Sequence, residues 1–259
     1  MKTVRKIVER LSRNKLIKRK ILVDGTTIPI FVSPDAQLKY LKPGIGAFDR
    51  DLIEIAEKYL TADSNVWDIG ANVGVFTFAA ASVARKGSVV SVEADIWLAN
   101  ILRKTANSKE YANSHICVIP AAVSRENSVA SFVVAARGRA SNALETAAGL
   151  RSQMGGVREK QFVPTLTMDT LLESFPSPDF IKIDIEGAEY MAVQSATKII
   201  NKVRPTFYIE VGAEVAHKVF EVFQKAKYAA FDQMGNTLSE DMAFNVFFVP
   251  EEKIDAYKA

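Results

Sequence analysis

The run Val66-Trp67-Asp68-Ile69-Gly70-Ala71-Asn72-Val73-Gly74 constrains the fold more than any other stretch. Its first four residues read as a short, fully buried strand. Gly70 breaks that strand, and apolar residues resume at helical spacing from about Val73 to Arg85. Strand, glycine turn and helix together set a helix N-terminus at the end of a parallel strand, where ligands of open α/β sheets bind.

The rest of the chain continues in kind. Ser88–Glu93, His115–Ile119, Val129–Ala135, Phe180–Asp184, Thr206–Val211, Tyr228–Asp232 and Phe244–Val249 read as strands. Helices are expected over Ile96–Ser108, Glu189–Val203 and Val215–Ala226. Strands alternating with helices of this length predict a doubly wound α/β fold with a mostly parallel sheet. The last two strands flank a turn at Gly235-Asn236, too short for a crossover helix, so they should pair antiparallel. Residues 136–160, rich in Gly, Ser and Arg, read as a long mobile connection. Upstream, Asp24-Gly25 between two β-branched runs signals a hairpin, and Asp51 to Leu60 a helix. Three regions follow: a basic amphipathic helix over 1–20, a hairpin and helix over 21–60, and the main domain over 61–259.

Charge is unevenly spread. Residues 1–20 carry nine Lys/Arg against one acid, Glu9, so the net +3 of the chain leaves the remainder at −5. Val4, Ile7, Val8 and Leu11 fall at helical spacing among those bases and are too interrupted for a signal peptide. A solvated helix packing on the domain or on a partner is the plain reading, and peripheral contact with anionic lipid the sharper one. No apolar stretch reaches the roughly 18 residues of a membrane span, so a cytoplasmic protein is expected. The single cysteine, Cys117, excludes an internal disulfide or a cysteine-based metal cluster.

The chemistry rests on acids at strand ends. The glycine loop lacks the G-x-G-x-x-G spacing of dinucleotide sites, because Asn72 stands where the second glycine would be. Asp68 adds a negative charge that would repel a pyrophosphate. Opposite charges about 4 Å apart gain roughly 4 kcal/mol at an effective dielectric of 20, so the same acid suits the ammonium and sulfonium of S-adenosylmethionine. Gly70 and Gly74 are expected to let the backbone approach that ligand. Glu93, ending the next strand, can accept hydrogen bonds from two ribose hydroxyls. In Ile181-Lys182-Ile183-Asp184-Ile185-Glu186-Gly187-Ala188-Glu189, helix capping accounts readily for Glu186 or Glu189. Asp184, at the end of a central strand, should face the ligand crevice.

These blocks, with Ala121-Ala122-Val123-Ser124, Thr167-Met168-Asp169 and Arg204-Pro205…Glu210, resemble the FkbM family of methyltransferases over roughly residues 45–250. The resemblance implies a class I, Rossmann-like fold with seven strands, the last antiparallel. It implies O-methylation of a hydroxyl on a sugar, glycan precursor or secondary metabolite. By the same resemblance Asp68, Gly70, Asn72 and Gly74 form the methionine-side loop, Glu93 binds ribose, Ala121 and Ala122 border adenine, and Asp184 with Glu186 edges the active site. Ala94 departs from a proline common in the family.

Asp184 is the first candidate for general base, with Glu186 and Glu210 orienting the acceptor or sharing its proton. A metal is not expected, although Asp184 and Glu210 offer two oxygen ligands to one Mg²⁺. His115 and His217 read as structural or solvated. Arg137, Arg139 and Arg151 suggest an anionic or hydroxyl-rich acceptor. A small-molecule or glycan acceptor is the expected partner. No nucleic acid is expected, since the body is acidic and the Asn/Asp-Pro-Pro-aromatic motif of base methylases is absent. Homo-oligomerisation stays open. So do two other functions, a nicotinamide-dependent oxidoreductase and a non-catalytic nucleotide-binding module.

Overall fold

A computed structural model describes residues 2–148, 155–239 and 244–258. Helix α1 (Lys2–Leu11) leads into an antiparallel hairpin, β1 (Ile17–Val23) and β2 (Thr26–Val32), and then helix α2 (Arg50–Tyr59). The leading helix therefore ends at Leu11, short of residue 20. From Ile17 the period changes to two: Ile21 and Val23 turn inward while Lys18 and Lys20 turn outward, which is strand patterning.

The main domain is a seven-stranded sheet. Its members are β3 (Asn65–Ile69), β4 (Ser88–Val92), β5 (Ile116–Ile119), β10 (Phe180–Ile183), β11 (Thr206–Glu210), β12 (Tyr228–Phe231) and β13 (Asn245–Pro250). They lie in the order β12-β13-β11-β10-β3-β4-β5. Strand β13 pairs antiparallel with both of its neighbours, as the short Gly235-Asn236 turn predicts. The chain runs outward from β3 to β5 on one side and onward to β10 and β11 on the other. The order therefore reverses between β3 and β10, the switch point at which open α/β sheets bind ligands.

Both faces of the sheet are covered. Helix α3 (Val75–Val83) is buried on nearly every side, because α2 and the hairpin close over the flank that the sheet leaves bare. A helix apolar all round, VFTFAAASV, has to be sandwiched in this way. Phe78, fully buried, packs its ring 4.8 Å from that of Tyr111. On the opposite face, Phe207 and Phe248 of the sheet pack against Phe220 and Phe223 of α8 (Ala216–Lys225).

Two expectations fail here. Residues 136–160 are not a bare connection. Where described, they hold a 3-10 turn at Arg139–Ser141, strand β8 (Ala143–Leu144), helix α5 (Glu145–Ala148) and the start of β9 (Val157–Leu166). With β6 (Ala122–Val123) and β7 (Ser128–Ala135), strands β8 and β9 build a second, four-stranded sheet in the order β6-β9-β7-β8. Strand β9 hides in the sequence because half of its positions are exposed and the polar run at 158–161 breaks the alternation of its apolar residues. Helix Glu189–Val203 is also broken. Helix α7 spans Glu189–Gln194 and a π-type turn follows at Ile199–Val203. Ser195 ends α7: its hydroxyl donates to Ala192 O (2.8 Å) and accepts from the amide of Met168 (3.0 Å), at the start of α6 (Met168–Ser174).

Candidate active site

A cavity of about 420 Å³ opens at the C-terminal ends of β3, β4, β10 and β11. Gly70, Asn72 and Glu93 line it toward β4, Ala121 and Ala122 beyond β5, and Asp184, Glu186 and Glu210 toward β10 and β11. Eight of the ten residues predicted for the site therefore border one space. Asp68 and Gly74 do not.

Asp68 is fully buried, one layer below the loop. Its carboxylate accepts from the Thr77 hydroxyl at 2.6 Å and from Lys182 Nζ at 3.1 Å. The expected direct attraction between Asp68 and a cationic ligand is thus replaced by an internal ion pair. Lys182 also donates to Gly70 O (3.1 Å) and lies 3.6 Å from Asp184 Oδ2. Burial by itself would lower the Lys182 pKa, but Asp68 and Asp184 outweigh it and drive the group upward. The chain signalled this only as a charged residue inside the apolar run Phe180-Ile181-Lys182-Ile183, where a lone lysine has to find a counter-charge.

Both glycines are required by the protein's own packing. Gly70 has φ +80°, and a Cβ there would stand 1.9 Å from the carbonyl oxygen of Asp184. At Gly74, φ +90°, a Cβ would meet Leu102 and Phe78 at 2.5 Å. Between them Asn72 takes the left-handed conformation at φ 54°, which asparagine tolerates better than most residues. Its amide donates to Glu93 Oε2 at 2.7 Å, while its own side-chain Oδ1 is buried without a partner.

Glu93 also accepts from the amide of Asp95 at 2.8 Å. Burial pushes its carboxyl up to about 7, against the opposing pull of those two amides. Asp95 caps α4 (Ile96–Ala106) through the amides of Trp97 (2.8 Å) and Leu98 (3.3 Å). Its second oxygen accepts from Asn142 (2.7 Å) and from Arg139. Arg139 reaches Asp35 at 3.2 Å, and Arg158 grips the same Asp35 at 2.8 and 2.9 Å. Arg139, 5% exposed, is therefore committed to two internal acids and is not a free anchor for an anionic acceptor. Arg137 is exposed, and Arg151 lies outside the described residues.

On the β10 side, Glu186 adopts φ 51° and borders the cavity, whereas Glu189, in the first turn of α7, accepts from the amide of Gly187 at 2.7 Å. Asp184 is 36% exposed. Among the described residues no group of three or more His, Cys, Asp or Glu is arranged to hold a metal ion. His115 and His217 are exposed and outside the cavity. Sequence reasoning missed Asp49, Asp51, Tyr208 and Asn142, which also border the space. Burial raises the Tyr208 phenol to about 12.

A model of the methyltransferase FkbM domain matches residues 68–238, more than half of the chain. The chain belongs to the FkbM methyltransferase family. No curated protein matches it. Among solved structures, the FkbM methyltransferase of Methylobacillus flagellatus KT is similar at 16% identity and TM-score 0.45, over 73% of this chain. The FkbM chain described here spans only 44% of that protein. The 16S rRNA methyltransferase of T. thermophilus, in complex with AdoMet and guanosine, is similar at 14% identity and TM-score 0.50, over 91% of this chain and 50% of that one. An O-methyltransferase of Bacillus cereus, in complex with SAH, is similar at 13% identity and TM-score 0.45, over 82% of this chain and 86% of that one. The FkbM domain is thus seated on a class I, Rossmann-like methyltransferase fold. Among the described residues no helix is long and apolar enough to cross a membrane.

Proposed function

We propose that this FkbM-family protein transfers a methyl group from S-adenosylmethionine to a hydroxyl of an uncharged, polyhydroxylated acceptor such as a sugar, a glycan precursor or a secondary metabolite. One observation carries the reading: a single cavity joins Glu93, Asn72 and the small pair Ala121-Ala122 at one end to Asp184, Glu186 and Glu210 at the other.

The residues present fit this cofactor. Glu93 offers carboxylate lone pairs to ribose hydroxyls, Ala121 and Ala122 leave room for a flat base, and the orphaned Asn72 Oδ1 is an acceptor awaiting a donor. Six acids border the space (Asp49, Asp51, Glu93, Asp184, Glu186 and Glu210), against the two bases Lys182 and Arg139. Both bases are held in internal ion pairs. Such a lining favours a cationic cofactor and disfavours a pyrophosphate or an anionic acceptor. When bound, S-adenosylmethionine supplies an electrophilic methyl on a positive sulfur.

Asp184 is the residue to accept the acceptor's hydroxyl proton, since its carboxylate borders the cavity and retains access to solvent. Lys182, fixed by Asp68 and Gly70 O, steadies that carboxylate from behind. Glu186 and Glu210 orient the acceptor's remaining hydroxyls. Holding the acceptor in line supplies the larger share of the rate, and a base adds about 10²–10⁴-fold.

The test is a labelled-methyl screen across neutral sugars, glycolipids and macrolides, run with the wild type and Asp184→Asn. Transfer to a neutral hydroxyl is expected. The variant should lose about 10²-fold or more in kcat while keeping its affinity for S-adenosylmethionine. Equal losses in both would move Asp184 to a binding role, and transfer confined to nitrogen or carbon would overturn the O-methylation.

A further inference from the structure

Helix α1 bears two apolar side chains that the described residues leave exposed. Ile7 and Leu11 stand one turn apart and are 53% and 70% exposed. Among the described residues no other element packs extensively on α1. Yet the helix is held in place. Ser12, just past its end, is buried, and the amide of Asn14 donates to Asp35 Oδ2 at 3.2 Å. Asp35 is the acid that Arg139 and Arg158 clamp from the body of the domain.

The charge around this face is mostly positive and extends past the helix. Nine Lys/Arg lie within residues 1–20. Lys18 and Lys20 project from the outer face of β1. Lys18 and Lys104 approach the Phe31 ring at 5.7 and 4.7 Å, joining the hairpin to α4, whose exposed Arg103 and Lys104 carry the basic surface onward. Glu110 answers Lys18 at 3.3 Å, and Glu9 is the acid within the helix. The remainder of the chain is net negative, so this surface is a local feature.

We infer that α1, with the outer face of the β1–β2 hairpin, docks on the surface of an anionic phospholipid bilayer, Ile7 and Leu11 entering the headgroup boundary while the lysines and arginines meet lipid phosphates. Basic residues near such a surface are drawn to it, and apolar side chains on the same helix gain by leaving water. A nucleic-acid backbone would satisfy the charge and leave the two apolar side chains in water, so the lipid surface is the better fit. The inference is independent of the acceptor chemistry.

The test is co-sedimentation of the full chain with extruded vesicles at physiological salt, comparing phosphatidylcholine alone with vesicles in which a third of the lipid is phosphatidylserine. Partitioning should be at least about tenfold stronger on the anionic vesicles. The double substitution Ile7→Ser, Leu11→Ser should weaken it about tenfold with the unfolding midpoint unchanged, because both side chains are exposed. Equal partitioning on both vesicles, or none on either, would overturn the proposal. So would a double variant that binds anionic vesicles as tightly as the wild type. A duplex DNA arm separates the remaining source of attraction: DNA that binds as tightly as the anionic vesicles, undiminished by the double substitution, would assign the surface to nucleic acid.

Discussion

Glu93 carries the ionisation with most consequence for the cavity. Its carboxyl sits at about 7 because burial penalises the charged form. A folded-state pKa above the unfolded one means that the native protein holds the extra proton. The stabilisation is complete below about pH 4.5 and is lost as pH rises through about 7. The loss across that range corresponds to roughly 3 kcal/mol. Stability of the ligand-free protein should therefore fall between those pH values, and Glu93→Gln should flatten the slope in urea titrations. Ligand binding should move the other way. Ribose hydroxyls donate best to a carboxylate, so affinity for S-adenosylhomocysteine is expected to rise from pH 6 to pH 8 in the wild type and to stay level in Glu93→Gln. Lys182 poses a separate question of stability. Lys182→Met strands Asp68, fully buried, with Thr77 as its remaining side-chain partner, and should cost about 3–5 kcal/mol. Adding Asp68→Leu should recover part of that loss, a coupling that chemical denaturation of the four proteins of the cycle would measure.

Strands β3 and β10 meet so closely at Gly70 that a methyl group there has nowhere to go. Gly70→Ala should push the two strands apart and cost well over 3 kcal/mol, comparable to the larger core disruptions. Gly25, in the hairpin turn, has φ +71° and open space around it. Gly25→Ala should cost only about 1 kcal/mol from backbone strain alone. Thermal unfolding of the two variants side by side checks the contrast. The same loop shows what was legible in the sequence. Strand, glycine turn and helix were plain at residues 66–85, and so were the acid at the end of β4 and the reversed β13, because short buried strands and tight turns write themselves into apolar runs and glycines. The partner of Gly70 was not legible, since a contact with Asp184 O joins two strands far apart in the sequence. Nor was β9, where a polar run at 158–161 breaks the apolar alternation, nor the break at Ser195, made by one hydroxyl serving two backbone groups.

At the scale of the whole molecule, the parallel sheet supplies the crevice and the small four-stranded sheet supplies part of its wall. Asp35, Arg139, Asp95 and Arg158 tie the N-terminal region, the second sheet and the loop after β4 into one buried charge network. That network absorbed the arginine that the sequence assigned to an acceptor, and it leaves the cavity lined chiefly by acids. The proposed preference for a cationic cofactor is therefore a property of the assembled crevice rather than of Asp68 alone. Calorimetric titration of the intact chain with S-adenosylmethionine and, separately, with NAD tests this most directly. Saturable binding of S-adenosylmethionine is expected, weakened at least about tenfold by Glu93→Ala, with no measurable binding of NAD. Tight binding of NAD, or S-adenosylmethionine affinity indifferent to Glu93→Ala, would contradict the account.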